Sequence, residues 1–577
     1  MNDRNPYLVT RALNSYLRGS VFIAVSGHLV TTTDAIVVSY FMGPKALNAV
    51  NIVIPILTLF STVMIMLGAG ASISIAKLMG TRNKIQVNES FSSSMVGAVV
   101  FGIIISTITY FLSEDIIKYL DHGDSAVEFY SLQYLMTFCY AAPFLIITGV
   151  LERIIRTDGN TKLVRIGTWV GFILNLVLDI IFVGFTDLGI AGAAWATGIN
   201  YLICLVICVF HFSSRNNTLE WSYNYKQYFG QCLKNCKLGF STSLNTFLMA
   251  VTLFVINIIV VKALANEGLY CWAVCYQIFL ILQMLLSGID TSIFALGGVM
   301  FGEEDVKGLY FLYKRCLIYL LVWTVSLWVV IIVFPDFFGS LFGNTGEDLL
   351  HLLPNVIKIF SFFLLPFAIV SQVRTIYTVM ERSRLSLVLC IVSYLLIILF
   401  AYAYSRFDPN IFWWSFPSSS WLLIILLLIF TFTLHLKNKN LRVFSLIPKK
   451  EPGIALNLSV ALDKDDIHAT DIKISDFLKQ EGIDVKRAEI ISDICETAMD
   501  EIYLNLFTGK GTNRFFDLHI KINTPNVSVI LKDDGPRLTQ EEEESIINFI
   551  SGPEINNSNI KFYYFYLNHE NNFAFKF

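Results

Sequence analysis

The sequence predicts a polytopic all-α membrane protein, with twelve transmembrane helices in two sets of six and a smaller cytoplasmic α/β domain after the last of them. Three observations carry this expectation. The 577 residues are 55% hydrophobic and only 15% charged, with a mean hydropathy of +0.61, the balance of an integral membrane protein. About twelve apolar stretches are long enough to cross a bilayer, which takes about 20 helical residues. Beyond His435 the apolar runs give way to a mixed, charged sequence.

Taken in order, the N-terminus carries Arg4, Arg11 and Arg18 ahead of a long apolar run and has no small-residue cleavage site, so it reads as a retained first span and not a signal peptide. Spans fall near 20–42, 46–74, 89–113, 127–152, 163–184 and 189–212, then near 237–263, 270–298, 311–335, 350–379, 384–404 and 411–436. Basic residues occupy alternate loops: Arg82 and Lys84, then Arg153, Arg156, Lys162 and Arg165, then Lys226, Lys234 and Lys237, then Lys314 and Arg315, then Arg382 and Arg384. The intervening loops are short or acidic, which places both termini in the cytoplasm of the cell whose plasma membrane holds the chain. The expected organisation is an N-lobe at 1–212, a cytoplasmic loop at 213–236, a C-lobe at 237–436, a basic linker at 437–452 and the cytoplasmic domain at 453–577. The net charge of -3 says little, and no nucleic-acid partner is expected. The ten cysteines are scattered through apolar runs. Although Cys232/Cys236 and Cys271/Cys275 have helical spacing, neither pair has the ligands to complete a metal site.

The two sets of six read as a duplicated unit. GPKALNAVNIVIPI from Gly43 parallels EGLYCWAVCYQI from Glu267, and Leu47 to Leu269 and Gly80 to Gly302 are both 222 residues apart. AAPFLIITGVLERIIRTDGN likewise parallels LLPFAIVSQVRTIYTVMERS, from Pro143 to Pro366. Parallel repeats of six helices are a transporter architecture, with the substrate path between the halves.

Within the first set, Gly171 to Asn200 reads as two apolar helices around a polar turn near Asp187 to Gly189. Asn175 and Asp179, four apart, share a helix face. Asp179 lies as far before the turn as Thr197 lies after it, roughly 13 Å at helical rise. Asp34 precedes the end of the first helix at Gly43 by a similar depth, and Tyr134 lies a similar distance into the fourth. These five side chains can form one oxygen-rich cluster. Buried carboxylates in a membrane are costly and mark function by default. Oxygen ligands suit a hard cation, and two carboxylates at close range disfavour each other's charge, so a shared proton is the competing occupant. At the same offset the second set has Ile398 and Tyr402, so the cluster belongs to the first lobe alone. Asp290, in SGIDTSIFAL, is the clear intramembrane acid of the second set, facing a substrate or lying near the cytoplasmic mouth. Lys77, Lys262, Glu152 and Arg374 lie nearer helix ends, where long side chains snorkel.

At these residues the chain resembles the MATE family, the multidrug and toxin extrusion transporters. The matching stretches are TTTDAIVVSYFMGPKALNAV, LGAGASISIAKLMG, LERIIRTDGNTKL, NLVLDIIFVG and LGIAGAAWATGIN, within about residues 10–440. The resemblance implies two six-helix lobes forming a V and an antiporter that exports organic cations or amphipathic compounds by alternating access, driven by Na+ or H+, with no cofactor and no enzymatic step. It also implies that Asp34, Asn175, Asp179 and Thr197 hold the coupling cation, with Tyr134 an approximate counterpart. The acid that some members carry at the start of the second lobe has no match; Asn245 and Asn257 are the polar residues there. A lipid-linked saccharide flippase shares the fold and is the alternative transporter reading, against which the Asp34/Asp179 asymmetry argues. The expected partners are a small-molecule substrate and membrane lipids, and the expected state is a monomer.

After the linker, IALNLSVAL reads as a strand, 468–482 and 485–507 as helices, and DLHIKINT and NVSVILKDD as paired strands about a TPN turn. Glu541 to Glu544 reads as a solvated helix start. With EIYLN on a helix and DDG closing a strand, this order resembles the histidine-kinase-type (GHKL) ATP-binding fold, especially the anti-sigma-factor serine kinases. That implies Glu501 as general base, Asn505 as Mg2+ ligand, and Asp533 with Gly535 at the adenine of ATP. The glycine-rich lid that should follow is replaced by SGPEINNSNIKFYYFYLNHENN, where Gly552 alone cannot cover a triphosphate. A degenerate regulatory module with a cytoplasmic protein partner, a nucleotide sensor and a membrane-tethered serine kinase all remain open on the sequence.

Overall fold

The computed structural model describes residues 2–3, 7–80, 84–120, 124–158, 160–213, 217, 219–340, 347–407, 409–450, 453–461, 463–506, 515–523, 526–533, 535, 561–567 and 570–577. The first set of helices comprises α1 (Tyr7–Met42), α2 (Pro44–Gly80), α3 (Lys84–Leu120), α4 (Ser125–Thr157), α5 (Thr161–Gly184) and α6 (Ile190–Val209). Short polar residues start two of them. The Asp124 carboxylate accepts from the Ala126 N–H and the Asn160 amide from that of Leu163, serving donors that have no partner in the first turn of a helix. Gly43 ends α1 at φ +86°, a left-handed turn that a glycine adopts without steric cost.

The next helical stretch, α7 (Tyr225–Ser292), carries two apolar spans, Thr242–Leu264 and Glu267–Ser292. It folds back between them. Trp272 Nε1 donates to Asn257 Oδ1 at 2.9 Å, whereas fifteen residues of straight helix would separate them by roughly 22 Å. A π-helical turn (Ile293–Gly297) and α8 (Gly298–Gly302) complete the second of these spans. Then follow α9 (Val306–Val333), α10 (Pro335–Ser340), α11 (Glu347–Val379), α12 (Ser383–Tyr404), α13 (Pro409–Phe412) and α14 (Ser415–Lys437). The inter-lobe segment at 213–236 is not all loop: α7 begins at Tyr225.

Among the described residues, 12 helices are long and apolar enough to cross a membrane. Their burial repeats with the predicted duplication. The third span of each set is peripheral, with 22% of its most apolar window buried in both, whereas the fourth is central, with 61% and 72%. The peripheral spans accordingly turn side chains such as Ile103, Phe111, Val322 and Val329 outward, where lipid takes the place of a protein core.

The chain divides into two compact units. The larger, Val21–Gly288 with Leu320–Ile429, is helical. In it α4 packs on α2, α3 and α6, and α5 packs on α6. Where α2 meets the start of α7, Gly70 and Gly239 allow backbone contact, since a Cβ on Gly239 would lie 1.8 Å from the Met66 carbonyl oxygen.

The smaller unit gathers Met1–Ser20, Ile289–Tyr319 and Phe430–Phe577. It holds a six-stranded sheet of β1 (Asn2–Asp3), β2 (Ile454–Ala461), β3 (Phe515–Asn523), β4 (Asn526–Asp533), β5 (Lys561–Leu567) and β6 (Glu570–Lys576), in the order β1-β2-β3-β4-β6-β5. The β1–β2 pair is parallel and the rest are antiparallel. Helices α15 (Lys464–Gln480) and α16 (Val485–Leu506) cover one face. Alternate strand residues such as Leu458, Phe516, Leu518, Val529 and Phe573 meet Ile474, Leu478, Ile491 and Ala498 in one core. Two features depart from the sequence reading. The N-terminal β1 joins this sheet, and KFYYFYL with ENNFAFK forms a hairpin in place of a glycine-rich lid, because runs rich in aromatic residues favour strand pairing. The residues 541–544 and Gly552 lie outside the described set.

Candidate functional site

The site predicted in the first lobe assembles from four helices. Asp34 comes from α1, Tyr134 from α4, Asn175 and Asp179 from α5, and Thr197 from α6. All are buried, Asn175 and Asp179 completely. Thr197 Oγ1 donates to Asp34 Oδ2 at 2.9 Å. Asn175 Nδ2 approaches Thr197 Oγ1 at 3.5 Å, setting up a short relay from amide to hydroxyl to carboxylate. The Asp34 and Asp179 carboxyls lie within mutual hydrogen-bond reach, and the Tyr134 phenol is close enough to feel both charges.

The oxygens left over matter more. Asp34 Oδ1, Asn175 Oδ1 and both Asp179 oxygens are buried and receive no donor among the described residues. An acceptor sealed from water with no donor is expensive, and an ionised one more so. Four such oxygens on adjacent helices therefore form a site with capacity for a positive guest, either a hard cation bound by oxygen or a proton shared between the two acids. Asn175 and Asp179 share one face because they stand one helical turn apart, and Thr197 meets them because the turn at Asp187 to Gly189 returns the chain antiparallel.

Tyr201 of α6 also lies near Asp34. Sequence reasoning stopped at Asn200, although Tyr201, four residues beyond Thr197, faces the same way, and that spacing was the available signal.

The second lobe holds a site of opposite character. A small, partly open aromatic cavity is lined by Trp272, Phe279, Phe360, Phe363, Phe367 and Phe416 together with Met249, Tyr276 and Tyr394. Trp272 stacks on Phe416 with centroids 5.0 Å apart. The polar ends of the lining are engaged elsewhere: Trp272 Nε1 on Asn257, and the Tyr394 hydroxyl on Asn245 Oδ1 at 3.2 Å. Arg374, expected to snorkel, instead donates to Asn245 and, at 3.4 Å, to Ser371.

Asp290 is half-buried at the end of α7, near Cys316 of α9, and just ahead of the π-helical turn. It lies outside the compact unit that holds the carboxylate cluster. Glu501 sits on α16, while the side chain of Asn505, like that of Lys77, falls outside the described set. Asp533 is fully buried at the end of β4 and spends Oδ1 on the Gly535 N–H at 2.6 Å and on Asn571 Nδ2 at 2.9 Å. That oxygen is taken up inside the fold and is not offered to a base.

Twelve apolar spans in two similarly buried sets of six define a polytopic membrane protein of transporter architecture. The MatE family model matches residues 21–181 and 242–403, more than half of the chain, so the chain belongs to the MatE family of transporters, which are not enzymes. Among proteins of known name, it is 24% identical over 315 residues to the multidrug export protein MepA of Staphylococcus saprophyticus, covering 53% of this chain and 69% of that protein. The MepA proteins of Staphylococcus haemolyticus (24% over 272 residues) and Staphylococcus aureus (22% over 268 residues) are matched over 60% and 59% of their lengths, by 46% of this chain. Among solved structures, the fold is similar to the inward-facing conformation of a multidrug resistance MATE family transporter, with a TM-score of 0.63 at 19% identity over 70% of this chain and 96% of that one. It is also similar to an outward-facing conformation, at 0.59 and 19% over 74% and 97%.

Proposed function

We propose that this protein is a cation-coupled antiporter of the plasma membrane that exports drug-like organic cations or other amphipathic compounds by alternating access, with both termini in the cytoplasm and the C-terminal domain as a regulatory tail. The observation that carries this is the set of donor-starved oxygens of Asp34, Asn175 and Asp179 in the first lobe. A sodium ion or a proton arriving there relieves the charge of the pair and draws α1, α5 and α6 together. The arrangement it favours is then the one that binds substrate less well, and the two ligands compete through the conformational equilibrium.

The aromatic cavity of the second lobe supports the substrate side of the reading. Its π faces attract a flat delocalised cation without the desolvation that a carboxylate would demand. The named relatives are multidrug export proteins, which agrees with a broad, apolar recognition surface. The test is dye efflux from vesicles driven by a sodium or pH jump. Asp34→Asn keeps an acceptor for Thr197 and removes only the charge, so ion-driven efflux is expected to disappear while the protein stays folded; normal efflux in this variant refutes the assignment.

A further inference from the structure

The sheet of the C-terminal domain has an unusual second face. Strand alternation sets Asn457, Asp517, His519, Lys521, Lys532 and Asn572 opposite the helices α15 and α16, where a two-layer domain shows polar residues to water. All six are instead buried, at 7% exposure or less. Lysine is almost never buried unless paired, and both lysines find their partners far away in sequence. Lys532 Nζ donates to Glu303 Oε2 at 2.5 Å, with both side chains about nine-tenths buried, and Lys521 Nζ pairs with Glu304.

Glu303 and Glu304 form the turn between α8 and α9. Glu304 holds φ +59°, a conformation uncommon for a residue with a side chain. The turn is fixed by Asp305, whose carboxylate accepts from the Gly308 N–H at 2.8 Å at the start of α9 and whose own N–H donates to Met300 O at 2.9 Å. Two acids are thus presented side by side on a rigid corner.

The same sheet also grips the beginning of the chain. Asn2 and Asp3 pair with Asn457 and Leu458 of β2, and the Tyr7 ring packs on Phe515 of β3 with centroids 5.7 Å apart. Below these, Asn14 of α1 accepts from the Tyr319 hydroxyl of α9 at 2.9 Å, and the Arg442 guanidinium of the linker lies 3.8 Å over the Tyr310 ring of α9. One folded body therefore holds the start of α1, from the first set of helices, together with the α8–α9 corner, from the second.

We propose that the C-terminal domain is an autoinhibitory clamp: its polar sheet face, through Lys521 and Lys532 on Glu304 and Glu303, ties an end of the first lobe to an end of the second and slows the rearrangement that transport requires. The inference rests on the alternating-access reading above, because only there must ends from the two lobes move relative to one another. The π-helical turn at Ile293–Gly297 sits between the membrane part of this span and the clamped corner, the kind of irregularity at which a helix flexes.

The experiment uses the full-length protein in vesicles. Neutralising the corner with Glu303→Gln and Glu304→Gln, or the sheet with Lys521→Gln and Lys532→Gln, is expected to raise the initial rate of ion-driven dye efflux severalfold. Exchanging the charges (Glu303→Lys and Glu304→Lys with Lys521→Glu and Lys532→Glu) is expected to return it to the parent rate. Where the parent shows ion-driven efflux, a rate at or below the parent's in both neutralised proteins overturns the clamp. A second readout needs no transport: thiol cross-linking of Asn14→Cys to Tyr319→Cys, against the parent protein treated identically, is expected to slow once the corner is neutralised. An unchanged cross-linking rate overturns the clamp whatever the dye does. If cross-linking slows but efflux ignores every ion gradient, the clamp stands and the antiporter reading fails.

Discussion

Replacing Asp179 with Asn tests the charge logic of the first-lobe site most directly, because the amide keeps the size and one oxygen of the carboxylate. Both Asp179 oxygens are buried without a donor among the described residues, so the favourable partner they await is a positive charge. Two unit charges about 4 Å apart attract by about 4 kcal/mol at an effective dielectric of about 20. The mutual repulsion of Asp34 and Asp179 is present with and without a bound cation and cancels from the binding difference. Loss of the Asp179 charge therefore weakens cation binding by up to about a thousandfold, each 1.4 kcal/mol being tenfold. The oxygen that Asn retains returns part of this, so a shift of about a hundredfold to about a thousandfold is expected. The assay is initial dye efflux from vesicles as a function of external sodium at fixed pH, then of pH at fixed sodium. Under sodium coupling the half-saturating concentration moves by that factor; under proton coupling the pH dependence flattens and sodium has no effect in either protein. A variant with the parent's half-saturating sodium and the parent's pH profile refutes the reasoning.

Three further outcomes follow from other contacts. Thr197→Val removes the donor to Asp34 Oδ2 and is expected to cost about 1–3 kcal/mol of stability in ion-free buffer, whereas Thr197→Ser retains the parent's melting temperature; equal melting of the two variants contradicts the relay. Gly239→Ala drives a methyl to 1.8 Å from the Met66 carbonyl oxygen and 2.9 Å from the Gly70 nitrogen, with backbone on every side, so α2 and α7 are forced apart and a loss of about 1–3 kcal/mol or more is expected, read as a fall in melting temperature. His468 on α15 is raised above its ordinary value by its hydrogen bond and charge contact with Glu496. A raised folded value means that the pair stabilises fully below about pH 6.5 and fades as pH rises through the folded value; His468→Gln is therefore expected to lower the melting temperature at about pH 5.5 and leave it unchanged at about pH 8.5.

What the sequence made legible was local geometry. Asn175 and Asp179 at helical spacing, and Thr197 mirrored across a short turn, were enough to predict one cluster, because helix pitch is fixed and the turn is too short to alter the register. The span count was legible for the same reason: a bilayer imposes one length on every helix. The remainder depended on contacts between residues distant in sequence. The sequence already separates two spans within α7, near 237–263 and 270–298, but how closely its two legs approach shows only in the Trp272–Asn257 bond. The polar alternation of Asn457, His519, Lys521 and Lys532 reads as a wet sheet face until Glu303 and Glu304, more than two hundred residues earlier, are brought onto it. The β5–β6 hairpin shows in the sequence only as the five consecutive aromatics Phe562 to Tyr566, a composition that favours a strand but carries no period and so no register.

The duplicated scaffold shows how coupling can arise without a dedicated wire. Packing keeps the two sets alike, with the third span peripheral and the fourth central in each, yet their interiors have diverged in opposite directions. The first surrounds two acids with an amide, a hydroxyl and phenols, and leaves four oxygens wanting a positive charge. The second has no counterpart of that pair at Ile398 and Tyr402; it holds Arg374 on Asn245, whose Oδ1 also accepts from Tyr394 of the aromatic cavity. An inorganic cation gains little among π faces compared with what ionised oxygens offer it, and a flat organic cation is too large for a space enclosed by two adjacent carboxyls. On the reading proposed above, each lobe selects by chemistry what the other rejects, and competition between the guests needs only that the two lobes share one conformational equilibrium.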